Sequence, residues 1–97
     1  MSNSKIYFLN YSKEENAIRS TESKMFYKLK DVKSFVSERI NLSGYVTRIG
    51  YNGNTETEKS ILGFFNGFEP SAMECEIISK VLGRKLTETD LNKSFKF

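Results

Sequence analysis

The sequence predicts a single α+β domain spanning residues 1–97, with a small, mostly antiparallel sheet of about four strands. Short segments rich in aromatic and branched residues are typical of strands, and two other segments carry apolar residues at helical spacing. The predicted order is β-β-α-β-β-α, and hairpins that alternate with single helices are typical of α+β domains. We therefore expect two helices packed on one face of the sheet and a docked C-terminal tail.

The first half of the chain is predicted to contain two strands and one helix. Residues 5–11 are rich in aromatic and branched side chains, whereas the polar stretch 12–22 is interpreted as a long loop. Residues 24–30 alternate in polarity, which predicts a strand with one buried face and one basic face in water. Asp31 is then the expected N-cap of a helix that stops near Gly44.

A hairpin is predicted to follow this helix. Residues 45–51 are predicted to form a strand whose side chains point alternately to its two faces. Asn52-Gly53 directly after them favours a type I′ turn because both residues tolerate positive φ. The return strand is placed between residues 56 and 65. Its apolar side chains are Ile61, Leu62, Phe64 and Phe65.

The C-terminal part is predicted to contain the second helix and the docked tail. Pro70 suits the first turn of a helix, Ser71 with Glu74 fits a capping box, and Gly83 ends the helix. A stripe of apolar residues is expected to face the core. Its members are Met73, Ile77, Ile78, Val81 and Leu82. The tail from Thr87 onward has a candidate start of another short helix at Thr87, and its leucine and phenylalanine residues predict that it packs against the domain.

The residue types that are missing exclude the commonest kinds of catalytic site. The chain has no histidine and one cysteine, Cys75. Histidine is the commonest general acid/base and metal ligand, so the usual hydrolase triads and zinc sites cannot be built from this chain alone. A single thiol also excludes an internal disulfide. We therefore predict a protein that is not an enzyme and that has no metal and no cofactor.

The charge and hydropathy patterns leave several kinds of partner open. The formal net charge is +3, and the excess of basic residues lies in the first half of the chain. Such a mild charge permits nucleic acid or acidic proteins as partners without selecting either. No apolar stretch approaches the length of a membrane span, and the run 6–9 is too short for a signal peptide. We therefore expect a cytoplasmic protein.

These exclusions favour protein recognition as the function. We predict a small non-enzymatic protein that binds a larger protein and neutralises or modulates it. Immunity proteins, antitoxins and phage anti-defence proteins have this general profile. Exposed aromatic or charged anchors on loops would carry the binding. The candidate partner-binding residues are Tyr51, Asn54, Glu56, Glu58, Phe68 and Glu69. The protein would be a monomer, or a homodimer formed through an edge strand.

Two other functions stay open. The first is a nucleic-acid-binding regulator with a basic sheet face, which requires strand 24–30 to lie beside strand 45–51. Its residues would be Lys24, Lys28, Lys30 and Arg48. The same lysines also fit a solvated face that protects an edge strand from aggregation. The second is a ribonuclease toxin that works without histidine. Its catalytic groups would come from Lys28, Arg48, Tyr7, Tyr11, Tyr27, Tyr45 and Tyr51.

Overall fold

Four strands and three helices make up the part of the chain that the computed structural model describes, residues 5–39, 41–50, 59–65 and 68–95. In chain order they are β1 (Lys5–Glu15), β2 (Ile18–Phe26), α1 (Leu29–Ser37), β3 (Ser43–Gly50), β4 (Ser60–Phe65), α2 (Ala72–Leu82) and α3 (Glu88–Leu91). The α+β class and the predicted order are confirmed, and α3 adds a short helix to the tail. Within these ranges, no helix is long and apolar enough to cross a membrane.

The four strands form one antiparallel sheet in the order β2-β1-β3-β4. β1 lies inside the sheet: Tyr7 pairs with Phe26 of β2 on one side and with Arg48 of β3 on the other. β2 and β3 are therefore not neighbours. The proposed basic sheet face required that they should be.

The prediction of a long loop over residues 12–22 is wrong. This stretch contains the end of β1, a tight turn and the start of β2. Asn16 and Ala17 form the turn, with φ angles of 53° and 66°. Two successive positive φ angles are typical of a type I′ turn, whose twist matches that of a β-hairpin. The turn could not be predicted from the sequence because Ala17 adopts a conformation that is usually found for glycine and asparagine. The strands on either side of the turn are polar, so they also lack the apolar alternation that predicts a strand.

α1 begins and ends earlier than predicted, so the strand predicted over 24–30 is too long. β2 stops at Phe26, and Lys28 is the N-cap residue of α1 but makes no side-chain capping hydrogen bond. Asp31 lies in the first turn of α1 instead of capping it. Burial of Val32 and Val36 against the sheet fixes the position of the helix, and this packing outweighs the capping preference.

Gly44 lies in β3 and does not end α1. Its φ is 150°, and a Cβ at this position would come within 2.5 Å of the carbonyl oxygen of Asn10 and 2.8 Å of the Cα of Tyr11. The absence of a side chain therefore allows β3 to lie close to β1 at this point.

The two long helices pack on opposite faces of the sheet. Adjacent residues of a strand point to opposite faces, and Tyr45 and Val46 of β3 belong to different core clusters. Val46 packs with Val36 of α1 on what we call the first face. Tyr45 packs with Ile78 and Leu82 of α2 on the second face. The prediction of both helices on one face is therefore wrong, because β3 and β4 place apolar side chains on both of their faces.

The predicted capping box and the predicted stop of α2 at Gly83 are confirmed, but Pro70 precedes the N-cap residue Ser71 instead of lying in the first turn. The Ser71 hydroxyl accepts a hydrogen bond from the Glu74 main-chain N–H at 3.3 Å, and the Ser71 N–H donates to the Glu74 carboxylate at 3.0 Å. Gly83 closes the helix with a φ of 76°. Local sequence signals specify both ends of this helix.

The tail docks along β4, as predicted. The Phe64 N–H donates to the Lys93 carbonyl at 3.1 Å, and the Phe95 N–H donates to the Phe64 carbonyl at 3.0 Å. Phe95 packs against the first-face core. The tail therefore pairs with β4 along the edge of that strand that faces away from β3.

α3 is held by an ion pair. The Arg84 guanidinium bonds to both oxygens of the Asp90 carboxylate, at 2.6 and 3.1 Å. Asp90 also accepts hydrogen bonds from the Thr87 N–H and hydroxyl, and these contacts together hold the pKa of Asp90 well below its usual range. The buried carboxylate therefore fixes the start of α3.

Candidate functional site

Of the six predicted partner-binding residues, the structure describes two. Tyr51, Asn54, Glu56 and Glu58 lie outside the described residues. Phe68 is half-buried against the second-face core, with its ring centroid 6.0 Å from that of Phe64. Glu69, next to it, is exposed. Phe68 also lines a groove between the β1–β2 hairpin and α2.

The four basic residues do not form one basic sheet face. Lys24 is on β2 and Arg48 on β3, with β1 between them. Lys28 and Lys30 lie at the start of α1 instead of on a strand, because β2 ends at Phe26. α1 packs on the face that Lys24 and Arg48 share. The predicted arrangement is therefore not assembled.

Two cations of the first face lie against one aromatic ring. The Lys24 ammonium is 5.1 Å from the centroid of the Phe35 ring, and the Arg39 guanidinium carbon is 4.2 Å from it. Both distances fit cation–π attraction. Arg48 presents a different situation, because its Nε is buried and has no hydrogen-bond partner among the described residues.

A polar contact joins β1 to β2 on the same face. The Tyr11 hydroxyl donates to the Glu22 carboxylate at 2.6 Å, and Lys13 forms an ion pair with the other oxygen of Glu22 at 3.3 Å. Burial, followed by the hydrogen bond to Glu22, raises the pKa of Tyr11 to about 12. The same hydrogen bond, together with Lys13, lowers the pKa of Glu22. These contacts hold the hairpin together.

The second face carries a groove of about 190 Å³ between the β1–β2 hairpin and α2. Its floor is polar and comes from Asn10, Ser12, Thr21 and Ser23. Its wall comes from Tyr45, Phe68, Glu74 and Ile77. Alternation explains the floor, because Leu9 and Tyr11 point into the first-face core and the residues next to them point to the other side. Ser23 donates a hydrogen bond to the Asn10 side-chain oxygen at 2.7 Å.

The wall of the groove combines a neutral phenol with a fixed carboxylate. Burial, and then the charge of Glu74, raises the pKa of Tyr45 from its ordinary value of 10.0 to about 12. The Ser71 N–H holds the Glu74 carboxylate at the start of α2. The groove therefore offers neutral hydrogen-bonding groups and one acidic side chain.

Two apolar side chains of α2 that the sequence predicted to be buried lie in solvent. Met73 is 71% exposed and Ile77 is 50% exposed, whereas Ile78 and Leu82 are buried. The apolar stripe of α2 is wider than the surface it covers on β3 and β4. Ile77 lines the groove, so an apolar surface continues from the groove onto α2. Periodicity alone does not separate the covered part of such a stripe from the uncovered part.

The groove is the place where the described residues bring polar, aromatic and exposed apolar side chains together. No group of three or more side chains suited to a metal ion occurs within the described ranges. No family model matches the chain, and neither the curated proteins nor the solved structures give a match.

Proposed function

We propose that this chain is a small non-enzymatic protein that binds a larger protein through the second-face groove and modulates or neutralises it. The observation that carries the proposal is the exposed apolar part of α2 beside a groove with a polar floor. Ile77 is half-exposed at the groove and Met73 is more exposed still. Apolar surface that adjoins a groove is typical of sites that bind other proteins.

The chemistry of the groove fits a protein segment with one apolar anchor. An apolar side chain would pack between Phe68 and Ile77, where it would lose contact with water. The hydroxyl and amide groups of the floor, such as those of Asn10 and Thr21, would bond to main-chain groups on either side of the anchor. Glu74 would favour a basic residue in the same segment. The proposed occupant is therefore an apolar residue with basic character nearby.

The nucleic-acid alternative has less support from the described residues. Its lysines and arginine are divided between β2, β3 and the start of α1, and α1 lies on the face that Lys24 and Arg48 share. Lys24 is in contact with Phe35. Phosphate binding would be recognised by affinity that falls steeply as salt rises.

An affinity capture with matched variants tests the proposal. The tagged protein is incubated with its native lysate after nuclease treatment and eluted in rising salt. Ile77→Glu places a charge in the groove wall and is expected to abolish capture of a stoichiometric protein. Ile18→Glu is the matched control, because Ile18 is 70% exposed at the hairpin end and does not line the groove.

The captured protein is then purified and mixed with each variant. Binding that falls at least about tenfold for Ile77→Glu, but not for Ile18→Glu, would support the groove as the site. A change in the activity of the captured protein would support modulation. Equal loss in both variants would argue against the groove, and recovery of nucleic acid that disappears as salt rises would favour the alternative.

A further inference from the structure

The two edges of the sheet differ in whether they are covered. The edge of β4 is paired with the tail, through the hydrogen bonds between Phe64 and residues 93 and 95. β2 forms the other edge, and among the described residues it pairs with β1 alone. An uncovered edge presents main-chain donors and acceptors that can pair with another strand.

The register identifies which residues of β2 present these groups. A two-residue turn closes on a hydrogen-bonded pair, here Glu15 with Ile18, and such pairs alternate with non-bonded pairs along the hairpin. The groups of Arg19, Thr21, Ser23 and Met25 therefore point away from β1. A hydrogen bond from the Thr47 hydroxyl of β3 to the Phe8 carbonyl supports this alternation, because it shows that the carbonyl points away from β2. Phe8 and Met25 are therefore a non-bonded pair of the hairpin.

We propose that β2 pairs with β2 of a second copy of this chain, antiparallel and centred on Ser23. In this register Ser23 pairs with Ser23 of the second copy, and Thr21 pairs with Met25 of that copy. A two-fold axis perpendicular to the sheet relates the two chains, and the two four-stranded sheets become one sheet of eight strands.

Charge complementarity favours this register over the two neighbouring ones. The register between two antiparallel strands of one sheet can shift only by two residues at a time, because a shift of one residue would move every side chain to the other face. With Ser23 at the centre, Glu22 lies opposite Lys24 of the second copy, and the symmetry produces this pair twice. Centring between Thr21 and Ser23 would place Glu22 opposite Glu22, and centring between Ser23 and Met25 would place Lys24 opposite Lys24. Like charges in these positions destabilise a sheet.

The β2 edge is also regular enough to pair. Its register with β1 runs without a bulge from Ile18 to Phe26, and this stretch contains no proline. Bulges and prolines are common ways to protect an edge. Glu22 and Lys24 are charged, but in the proposed register Glu22 of each copy lies opposite Lys24 of the other, so these charges attract a second copy instead of repelling it.

The dimer would complete the groove. Thr21 and Ser23 belong to the groove floor, and Met25 is 48% exposed on the same face. Because the two-fold axis keeps each face of the sheet on its own side, Met25 of the second copy would stand beside Thr21 at the open side of the groove. The dimer does not depend on the proposed function, but it would add an apolar side chain to the same site.

A charge exchange tests both the dimer and its register. The mass of the full chain is measured in solution over a range of concentrations, by light scattering and sedimentation. Glu22→Lys and Lys24→Glu would each place two like-charge pairs across the interface and are expected to weaken the dimer roughly tenfold or more. Mixing these two variants restores two opposite-charge pairs, so a heterodimer is expected to form.

Ser23→Pro gives a second, independent variant. The N–H of Ser23 points away from β1, so proline removes no main-chain hydrogen bond within the monomer but blocks the edge. It also removes the exposed side-chain hydrogen bond from Ser23 to Asn10, which Ser23→Ala removes without blocking the edge. The expected result is a folded monomer, checked by circular dichroism. A wild-type chain that is monomeric at every concentration would overturn the proposal, as would a folded Ser23→Pro variant that still dimerises. Charge variants that dimerise as well as the wild type would overturn the register. If Ser23→Pro does not fold, the charge exchange decides, and capture by the groove remains a separate measurement.

Discussion

Replacing Gly63 with alanine is expected to separate the C-terminal tail from β4. The φ of Gly63 is +153°, and a Cβ at this position would lie 2.6 Å from both the Phe95 nitrogen and the Ser94 carbonyl carbon. Ordinary contacts begin at 3.4 Å, so the tail would have to retreat by about 0.8 Å. Two hydrogen bonds of 3.0 and 3.1 Å between the tail and Phe64 would then lengthen beyond their normal range.

The expected loss of stability follows from these contacts. Two main-chain hydrogen bonds contribute about 1–3 kcal/mol in total, and the strained backbone of an alanine at this φ costs about 1–3 kcal/mol. We therefore expect the free energy of unfolding to fall by about 4 kcal/mol, the middle of the summed range. For a domain of this size that corresponds to a decrease in Tm of more than about 10 °C.

Urea denaturation and hydrogen exchange provide the assay, with Gly83→Ala as the control. Gly83 also has a positive φ of 76°, but no atom lies within 4 Å of the Cβ position, so alanine there should cost only about 1–2 kcal/mol of strain. Faster exchange of the Phe64 and Phe95 amides is expected for Gly63→Ala alone. Equal losses of stability and unchanged exchange in both variants would refute the close approach of the tail.

Two further predictions concern α2 and Tyr11. Ile78→Ala removes a fully buried side chain and should lower the free energy of unfolding by about 2–5 kcal/mol, whereas Ile77→Ala should change it by less than about 0.5 kcal/mol in the same urea titration. Equal effects would contradict the burial of α2. The phenol of Tyr11 should titrate at about 12, so its stabilising effect is complete below pH 10 and is lost as the pH rises through 12. Phenolate absorbance compared between the wild type and Tyr11→Phe checks this, and titration of Tyr11 at its ordinary pKa would contradict it.

Local signals explain why α2 could be predicted from sequence. The Ser71–Glu74 capping box and Gly83 specify both helix ends without help from the rest of the chain. α1 lacks such a signal at its start: Lys28 provides no side-chain cap, and the apparent cap Asp31 lies inside the helix. Its position depends on packing against strands that are distant in sequence, which a local pattern does not reveal.

The placement of the helices shows a second limit. A strand with one solvated face alternates, whereas both faces of β3 are buried, and Tyr45 and Val46 support different helices. Apolar side chains on both faces of a strand indicate that both faces are covered, and residues 45–51 carry apolar side chains on both faces. Thr47 made this pattern hard to recognise because it is polar. It is nevertheless buried, since its hydroxyl donates a hydrogen bond to the Phe8 carbonyl at 3.2 Å.

Part of the groove floor and part of the open edge come from the stretch 12–22, which the sequence predicted to be a loop. β3 pairs with β1 only as far as Ser12, so residues 13–20 at the end of the hairpin have no third strand beside them. A strand without a core to face does not need the apolar alternation by which strands are recognised. The turn at Asn16 and Ala17 and the Tyr11–Glu22 hydrogen bond supply order instead. Thr21 and Ser23 lie on the edge strand and on the face opposite the first-face core, so they can present polar side chains to the groove and main-chain groups to the open edge. The polar composition that resembled a loop is therefore what suits this hairpin to recognition.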